Sequence, residues 1–264
     1  MKHLFKQIRN TLRRRINIRK EFLQQTRLRN NYEKKFKKQL RDFFKNFHEE
    51  YAELYINNVP TSKLILDQQN ILFQLFAQHY STVIRAFGSR MLEMLQKNEE
   101  QFEIIYQEYL RENGGTKIVG IVETTRRKII EIIEKNLEEN EGQTVIANQI
   151  RKYANSSYTR YRANTIARTE THNAASFANQ RIAESQAIPN LKKRWSTTPD
   201  ERSRDIHVAV NGQEVGLDED FTVGGMPMKY PGDPRGGAKN VINCRCVVLY
   251  ITDDDEVSWI CQNL

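Results

Sequence analysis

Residues 195–207 read Trp195-Ser-Thr-Thr-Pro-Asp200-Glu-Arg-Ser-Arg204-Asp-Ile-His207, and residues 243–246 read Asn243-Cys244-Arg245-Cys246. These stretches hold one of the five His and two of the three Cys of the chain, and the loop between them is rich in Gly and Pro. Residue types that bind metals are thus concentrated in a segment otherwise made of turn-forming residues. Such a segment is typical of a small domain that is held together by a site or a staple rather than by long elements.

The candidate metal site consists of His207, Cys244 and Cys246. Zinc needs about four N, S or O ligands at tetrahedral corners. The candidates for a fourth ligand are Asp200, Asp205 and Asp233. A single residue separates the two Cys, which is closer than the usual Cys-x2-Cys spacing. The same residues also fit a hydrogen-bonded His beside two buried Cys, because free Cys packs as a small apolar side chain.

The flanks of this segment predict strands. Residues 192–196 and 246–252 have strand patterns, and the second contains the apolar run of a buried strand. Asn211-Gly212 is a strong hairpin signal, which predicts that residues 207–210 pair with residues 213–215. The Gly and Pro residues that follow predict a long irregular loop. Trp195 and Phe221 are expected to anchor the core.

The chain before residue 190 is predicted to be helical. From Tyr32 to Leu54 the apolar residues recur at steps of three and four, in an eleven-residue repeat. Further helical patterns cover 71–95, 102–110, 118–137, 144–153 and 158–187, and Asn, Gly and Pro residues separate them. His172, on the last of these helices, is expected to be buried and hydrogen-bonded.

These patterns predict an α+β fold, with an extended, mostly helical N-terminal part followed by a small, turn-rich α+β C-terminal domain. The predicted segments are a basic amphipathic helix over 1–60, a helical bundle segment over 61–141, the C-terminal domain over 142–252 and an acidic tail over 253–264. We expect no transmembrane helix, because no uninterrupted apolar run is long enough. With three Cys, reduced thiols in a cytosolic compartment are expected.

The positive charge is concentrated at the N-terminus. The net charge is +8, yet the first 50 residues hold 16 Lys and Arg against 5 Asp and Glu, while the other 214 hold 25 against 28. This asymmetry points to a polyanionic partner, either nucleic acid or an acidic protein surface. The candidate contacts are Arg13, Arg14, Arg15, Lys34, Lys35, Lys37, Lys38 and Arg41. A merely solvated helix face is the alternative interpretation.

A series of motifs in the last part of the chain resembles a known family. The series is Asn164-Thr-Ile-Ala-Arg168-Thr169-Glu170 with Asn173, then Trp195, Asp200, Arg204, His207, Asn211-Gly212, Phe221, Pro231 and Asn243-Cys244-Arg245-Cys246. In this order it is similar to the minor head proteins of tailed bacteriophages typified by phage Mu protein F. The resemblance covers roughly residues 142–250, and the ordered combination is specific although each motif alone is weak.

The resemblance implies a minor capsid protein for head morphogenesis. Such a protein is made in the cytoplasm of the host bacterium and is present in few copies in the virion, at the portal vertex. The implied partners are the portal protein, the capsid and double-stranded DNA, which is bound without sequence preference and with which the protein leaves on ejection. The resemblance implies no enzymatic activity.

The resemblance also concerns zinc binding, and zinc is the one candidate cofactor of this chain. Many family members carry Cys-x2-Cys where this chain has Arg204-Asp-Ile-His207, and a His shortly before the Cys-x-Cys, and those members look able to bind zinc. This chain keeps His207, Cys244 and Cys246 from that set. Arg204 is expected to replace a ligand by an ion pair with Asp200 or Asp233.

Other functions stay open. One is an enzyme, either a metal-dependent hydrolase on His207, Cys244 and Cys246 with Asp200 or Glu201 as base, or an ADP-ribosyltransferase-like domain. The late Glu-x-Glu expected of that transferase is missing, and Asp218-Glu219-Asp220 is a poor substitute. A DNA-binding regulator is the other, although no compact helix-turn-helix pattern is present.

The Arg168-Thr169-Glu170 motif has two interpretations. The first is a helix surface on which Arg168 and Glu170 pair with neighbouring side chains. The second is a contact with another subunit.

Overall fold

The computed structural model describes residues 18–95, 102–186 and 188–251. The helical part comprises α1 (Ile18–Ile56), α2 (Ser62–Leu95), α3 (Phe102–Asn113), α4 (Gly115–Glu138), α5 (Gln143–Tyr153) and α6 (Ser157–Ser185). Then follow β1 (Lys192–Ser196), α7 (Asp205–Val208), β2 (Glu214–Gly216), β3 (Phe221–Val223), β4 (Met226–Met228), a 3-10 turn (Pro234–Gly236), α8 (Gly237–Val241) and β5 (Val247–Ile251). The predicted fold class is confirmed. Arg13, Arg14, Arg15 and the acidic tail lie outside the described residues.

The described residues fall into two compact units. The helical unit consists of residues 33–82 and 106–170. The sheet unit consists of residues 18–32, 83–95, 102–105, 171–186 and 188–251. Both units are discontinuous, whereas the segments predicted from the sequence are consecutive, and those boundaries stay a prediction. Among the described helices, none is both long and apolar enough to cross a membrane.

The core of the helical unit is aromatic. The stripe predicted on α1 is buried at Phe36, Leu40, Phe43, Phe47 and Tyr51. The ring of Phe36 lies 5.2 Å from that of Phe76 on α2 and stacks at 3.8 Å on His79. Burial lowers the pKa of His79 to about 3, so this ring is neutral and packs as an aromatic side chain. The repeat therefore marks the face of α1 that packs against α2.

A buried carboxylate joins three helices of the helical unit. Glu170 on α6 accepts hydrogen bonds from Tyr80 Oη on α2 at 2.7 Å and from Lys117 Nζ on α4 at 3.0 Å. The expected helix surface is therefore wrong for Thr169 and Glu170, which are both buried. Sequence spacing could not show this, because the partners of Glu170 come from other helices. Arg168 is half-buried and pairs with Glu33 at 3.1 Å.

Asparagines mark the breaks between elements. Asn58, Asn140 and Asn190 have φ angles of 53°, 59° and 58°, a left-handed conformation that Asn adopts more readily than other non-Gly residues. The predicted breaks at these positions are confirmed. The break predicted at Gly114 is smaller than expected, since this one residue separates α3 from α4 and keeps helical angles of −78° and −48°.

Strand β1 is the central strand of a three-stranded sheet with the order β2-β1-β5. Both pairings are antiparallel, and Lys193 lies opposite Val215 on one side and Tyr250 on the other. Trp195 is fully buried and packs edge-on against Phe221 of β3 at 5.3 Å, so both predicted core anchors are confirmed. The segment predicted as an irregular loop contains the β3–β4 hairpin.

The hairpin predicted at Asn211-Gly212 is wrong. Residues 205–208 form helix α7, and residues 214–216 pair with β1. The main chain of Gly212 donates to Trp195 O at 2.8 Å, and that of Trp195 donates to Gln213 O at 2.9 Å. Gly212 has the positive φ expected of a turn, at 85°. The turn forms locally, but its backbone partners belong to β1.

The outer edge of β5 is covered by helix α1. Gln25 Nε2 donates to Val248 O at 3.1 Å, and Arg29 Nη1 donates to Cys246 O at 3.5 Å. All five residues of β5 are buried. The first turns of α1 are therefore an integral part of the sheet unit.

A fully buried lysine lies on the core face of β1. Lys193 Nζ donates to Lys229 O at 2.9 Å and lies 5.4 Å from the centre of the Phe221 ring. Burial, and then the charge of Lys229, lower the pKa of Lys193 to about 8. The protonated form is thus penalised in the folded state. Because the unfolded pKa is near 10.4, stability should rise with pH between about 8 and 10.

Lys193→Met should therefore stabilise the protein at pH 7 by roughly 1–2 kcal/mol, after allowance for the lost hydrogen bond to Lys229 O. The advantage over the wild type should shrink at pH 9.5, where the wild-type lysine is neutral in the fold. Urea unfolding at both pH values measures this. Lys192→Met is the matched control at a half-buried neighbour. An advantage of the same size at both pH values would contradict the expectation.

Candidate metal centre

The three candidate ligands come from two segments of the sheet unit. His207 lies on α7, while Cys244 and Cys246 lie between α8 and β5. Thr197, just after β1, holds α7 in place, since its hydroxyl donates to His207 O at 2.6 Å. Asn211 Oδ1 accepts from the main chain of Thr197 at 2.8 Å. These bonds bring His207 to the end of β1, next to the start of β5.

The donor atoms form a compact triangle. His207 Nδ1 lies 3.7 Å from Cys244 Sγ and 3.4 Å from Cys246 Sγ, and the three donor atoms lie within 4.8 Å of one another. In a tetrahedral zinc site, bond lengths of about 2.3 Å to sulfur and about 2.0 Å to nitrogen place N and S roughly 3.5 Å apart. The chemistry and spacing of the three donors therefore fit zinc.

The site is closed by its surroundings. His207, Cys244 and Cys246 are each 3% exposed or less. The Trp195 ring packs edge-on against the His207 ring at 5.7 Å, and Trp195 Nε1 donates to the Thr197 hydroxyl at 3.2 Å. One feature departs from most metal-binding histidines: His207 Nε2 is buried without a hydrogen-bond partner, whereas such a nitrogen usually donates to an acceptor.

The two thiols differ in acidity. The hydrogen bond from Cys244, followed by that of His207, lowers the pKa of Cys246 below its ordinary value, although burial opposes the shift. The same bond between the two thiols and burial raise the pKa of Cys244 well above its ordinary value. One thiolate is thus favoured at neutral pH, and a thiolate is the form of Cys that binds metals.

None of the aspartates predicted as a fourth ligand joins the site. Asp200 forms a bidentate ion pair with Arg245 and a second one with Arg202, which lower its pKa. Asp233 accepts from the main chain of Lys229 at 2.7 Å and pairs with Arg235, and Asp205 is exposed. The carboxylates of Asp200 and Asp233 bind instead to cations or backbone N–H groups nearby. Within the described residues, the donor set therefore has three members.

Arg204 does not form the predicted ion pair. Its guanidinium donates to Ile242 O, while Asp200 and Asp233 are paired with the arginines named above. Arg204 thus ties the segment before α7 to the segment before Cys244. It supports the position of the two ligand segments without replacing a ligand.

The predicted basic residues of α1 lie in the helical unit. Lys34, Lys35, Lys38 and Arg41 are exposed, and Lys37 is half-buried. Lys34, Lys38 and Arg41 follow one another at steps of four and three, so they form one row on the helix. Arg41 Nη2 also donates to Asn164 Oδ1 on α6 at 3.3 Å. The structure thus places a row of cations on the side of α1 opposite its aromatic stripe.

Sequence analysis missed two residues of the site. Thr197 positions His207, and Arg29 donates to Arg245 O at 3.0 Å, next to both Cys. Arg29 stands in a strongly basic segment, where it resembles the other charged residues of the helix. No local signal distinguishes it, because its partners lie more than 140 residues away along the chain.

Comparisons with known proteins point to one family. The model of the family described as Phage Mu protein F like protein matches residues 127–249. The minor head protein GP7 of Bacillus phage SPP1 is 24% identical over an alignment of 246 residues that covers 83% of this chain and 79% of that protein. No solved structure matches the chain.

Two further relatives are matched over less of their length. An NAD(+)–arginine ADP-ribosyltransferase of Enterococcus faecalis is 26% identical over an alignment of 211 residues that covers 72% of this chain and 43% of the enzyme. The uncharacterized protein YqbB of Bacillus subtilis is 28% identical over 140 residues, which are 52% of this chain and 46% of YqbB. The chain thus spans less than half the length of each of these two proteins.

In metal-free protein, the absorbance of thiolate near 240 nm should show a step at a lower pH than that of an ordinary thiol, and Cys246→Ser should remove this step. Cys244→Ala should shift the step upward, because it removes the main hydrogen bond to the Cys246 thiolate. Cys261→Ser is the matched control and should leave the step in place. A step that remains near pH 8.5 in the wild type would contradict the described geometry.

Proposed function

We propose that the chain is a minor head protein that works at the portal vertex of a tailed bacteriophage and contacts the packaged DNA, on the basis that residues 127–249 match the model of the Phage Mu protein F like family. A role in head morphogenesis follows from the family and from the similarity to GP7. The portal, the DNA and departure with the genome are the proposed finer points.

The observation that carries the proposal is the extent of the similarity to GP7. It covers 83% of this chain and 79% of GP7, so it extends well beyond the residues that match the family model. The two chains thus share more than a common domain, and GP7, a minor head protein, is a suitable model for the whole chain. Cross-linking mass spectrometry of purified virions tests it: cross-links to the portal protein are expected, and absence from the virion would overturn it.

The basic row on α1 supports DNA contact. From Lys34 to Arg41 the row advances about 10 Å along the helix, which is about three steps of 3.4 Å, the rise along the DNA axis for each phosphate of one strand. The cations of the row are exposed, whereas the opposite face packs into the aromatic core. Lysine and arginine contacts to phosphates carry no sequence information, as suits a protein that meets packaged DNA of any sequence.

The metal centre is proposed as a structural element of this head protein. His207, Cys244 and Cys246 would hold zinc, which when bound would link α7 to the segment before β5. The residues around the site serve this role through burial and position: Trp195 packs against the imidazole, and Thr197 fixes the His207 main chain. Asp200, the candidate base of a hydrolase, is instead ion-paired with Arg245 and Arg202.

An ADP-ribosyltransferase is the alternative, and the similarity to the Enterococcus faecalis enzyme favours it. The acidic triplet that sequence analysis considered is engaged in local structure. Asp220 pairs with Arg235 at 2.7 Å, and the Glu219 carboxylate accepts from the main chain of Gly216 at 2.7 Å. Incubation with NAD+ and an arginine analogue separates the two proposals, since sustained release of nicotinamide would favour the transferase.

Changing Lys34, Lys38 and Arg41 together to Gln should weaken binding to double-stranded DNA and flatten its salt dependence. Up to three phosphate contacts would be lost, so the slope of log K against log salt should fall by up to about 3. Fluorescence anisotropy over a salt series measures this. The control changes the exposed Lys63, Arg111 and Lys152 to Gln, with the same loss of charge. Equal slopes for both triple variants would argue against a specific role of α1.

Protein purified without chelators should contain about one zinc per chain by elemental analysis. Cys244→Ser and Cys246→Ser should each lose it, because two donors at this triangle are too few to retain the ion. Cys261→Ser should keep it. Wild-type protein that stays free of zinc after incubation with the ion would refute the proposed centre.

A further inference from the structure

Arg29 is a buried arginine that reaches from α1 to the segment bearing the two Cys. It is 4% exposed. Its Nη1 donates to Arg245 O at 3.0 Å and to Cys246 O at 3.5 Å. All of these residues belong to the sheet unit. A single side chain thus binds two consecutive carbonyl groups of the Cys-x-Cys segment.

These two hydrogen bonds restrict the backbone that carries the candidate ligands. Residue 245 is the one residue between the two Cys, so the orientation of its peptide groups sets where both Cβ atoms point. The restraint matters because the segment has little regular structure of its own: Cys244 follows Asn243, whose φ is 59°, and precedes β5, which begins at Val247. Arg29 supplies the restraint from outside the segment.

His172 on α6 holds Arg29 in turn. Its Nδ1 lies 3.2 Å from Arg29 Nη1. A guanidinium donates hydrogen bonds and accepts none, so His172 Nδ1 is the acceptor and the imidazole is neutral with its proton on Nε2. In this state neither nitrogen of His172 offers a free lone pair to a metal. His172 is therefore a partner of Arg29 rather than a fourth ligand.

We propose that Arg29 is a positioning residue of the metal centre, and that metal binding and the attachment of residues 18–32 of α1 to the sheet unit strengthen each other. The inference rests on the proposed zinc site. Partners that orient metal-ligand segments commonly change metal affinity about 10–100-fold. By thermodynamic reciprocity, whatever factor Arg29 adds to metal affinity, the metal adds to the attachment of Arg29.

Gln25 offers a matched comparison within the same helix. It donates to Val248 O at 3.1 Å, so it binds the same edge of the sheet one turn earlier on α1. Its acceptor lies inside β5, where the pairing with β1 already fixes the backbone. Loss of the Gln25 bond should loosen the helix without moving the Cys-x-Cys segment.

The first test measures zinc affinity by competition with a chromogenic chelator in the full chain. Arg29→Met should lower it at least tenfold, Arg29→Lys should restore part of the loss because an ammonium still donates to carbonyls, and Gln25→Met should stay within about twofold of the wild type. The d–d absorption of Co²⁺ in place of zinc should change in Arg29→Met alone. Unchanged affinity in Arg29→Met, or an equal loss in Gln25→Met, would overturn the proposal.

The second test uses the wild type at position 29. It can therefore still test the coupling when Arg29→Met does not fold. Amide hydrogen exchange of residues 18–32 in the wild type should be slower with zinc than with a chelator, and Cys244→Ser should abolish the difference. Equal exchange in a wild type that holds zinc would overturn the coupling alone. A wild type that binds no zinc would overturn the metal centre and the coupling with it.

Discussion

Strand β5 lies at an edge of its sheet, yet all of its residues are buried. A buried carbonyl without a partner costs about 1–3 kcal/mol, so the outer edge of β5 requires donors that water cannot supply there. Gln25 and Arg29 of α1 are such donors. This requirement ties the first described helix to the last strand, and a fragment containing only the C-terminal part of the chain would expose that edge.

Helix α1 consequently has two roles along its length. Its first turns complete the sheet unit, and residues from Glu33 onward belong to the helical unit, where the aromatic face packs inward and the basic row faces solvent. A charge count over the first 50 residues does not separate these roles. Arg29 and Arg41 look alike in the sequence, but one is buried against backbone carbonyls and the other is exposed.

Strong local patterns predicted the fold well. The aromatic stripe of α1, the helix ends at asparagines and the buried strand 247–251 follow from periodicity and turn preferences, which act over a few residues. The pairing of Asn211-Gly212 was predicted wrongly. A turn signal predicts that the chain reverses direction there. It does not predict which strand supplies the backbone partners, because that depends on how all the strands of the sheet pair, and here the partner is β1.

The candidate metal site was also predicted only in part. His207, Cys244 and Cys246 were selected from residue type alone, and the structure brings their donor atoms within 4.8 Å. The predicted carboxylate ligands were not brought there, because Asp200 and Asp233 lie beside arginines and backbone N–H groups that bind them more directly. The resemblance to phage head proteins came from the order of motifs along the chain, and the family match bears it out.

The sequence by itself determined the helices, the strands β1 and β5, the three candidate ligands and the resemblance to phage head proteins. Each depends on residue types and spacings that are local or ordered along the chain. Only the tertiary structure decided that Glu170 is buried and that helix α7 forms where the sequence predicted a strand. It alone also showed that Arg29 binds the backbone between the two Cys. Those features depend on partners supplied by distant segments, and the energy of a buried polar group is set by which partner reaches it.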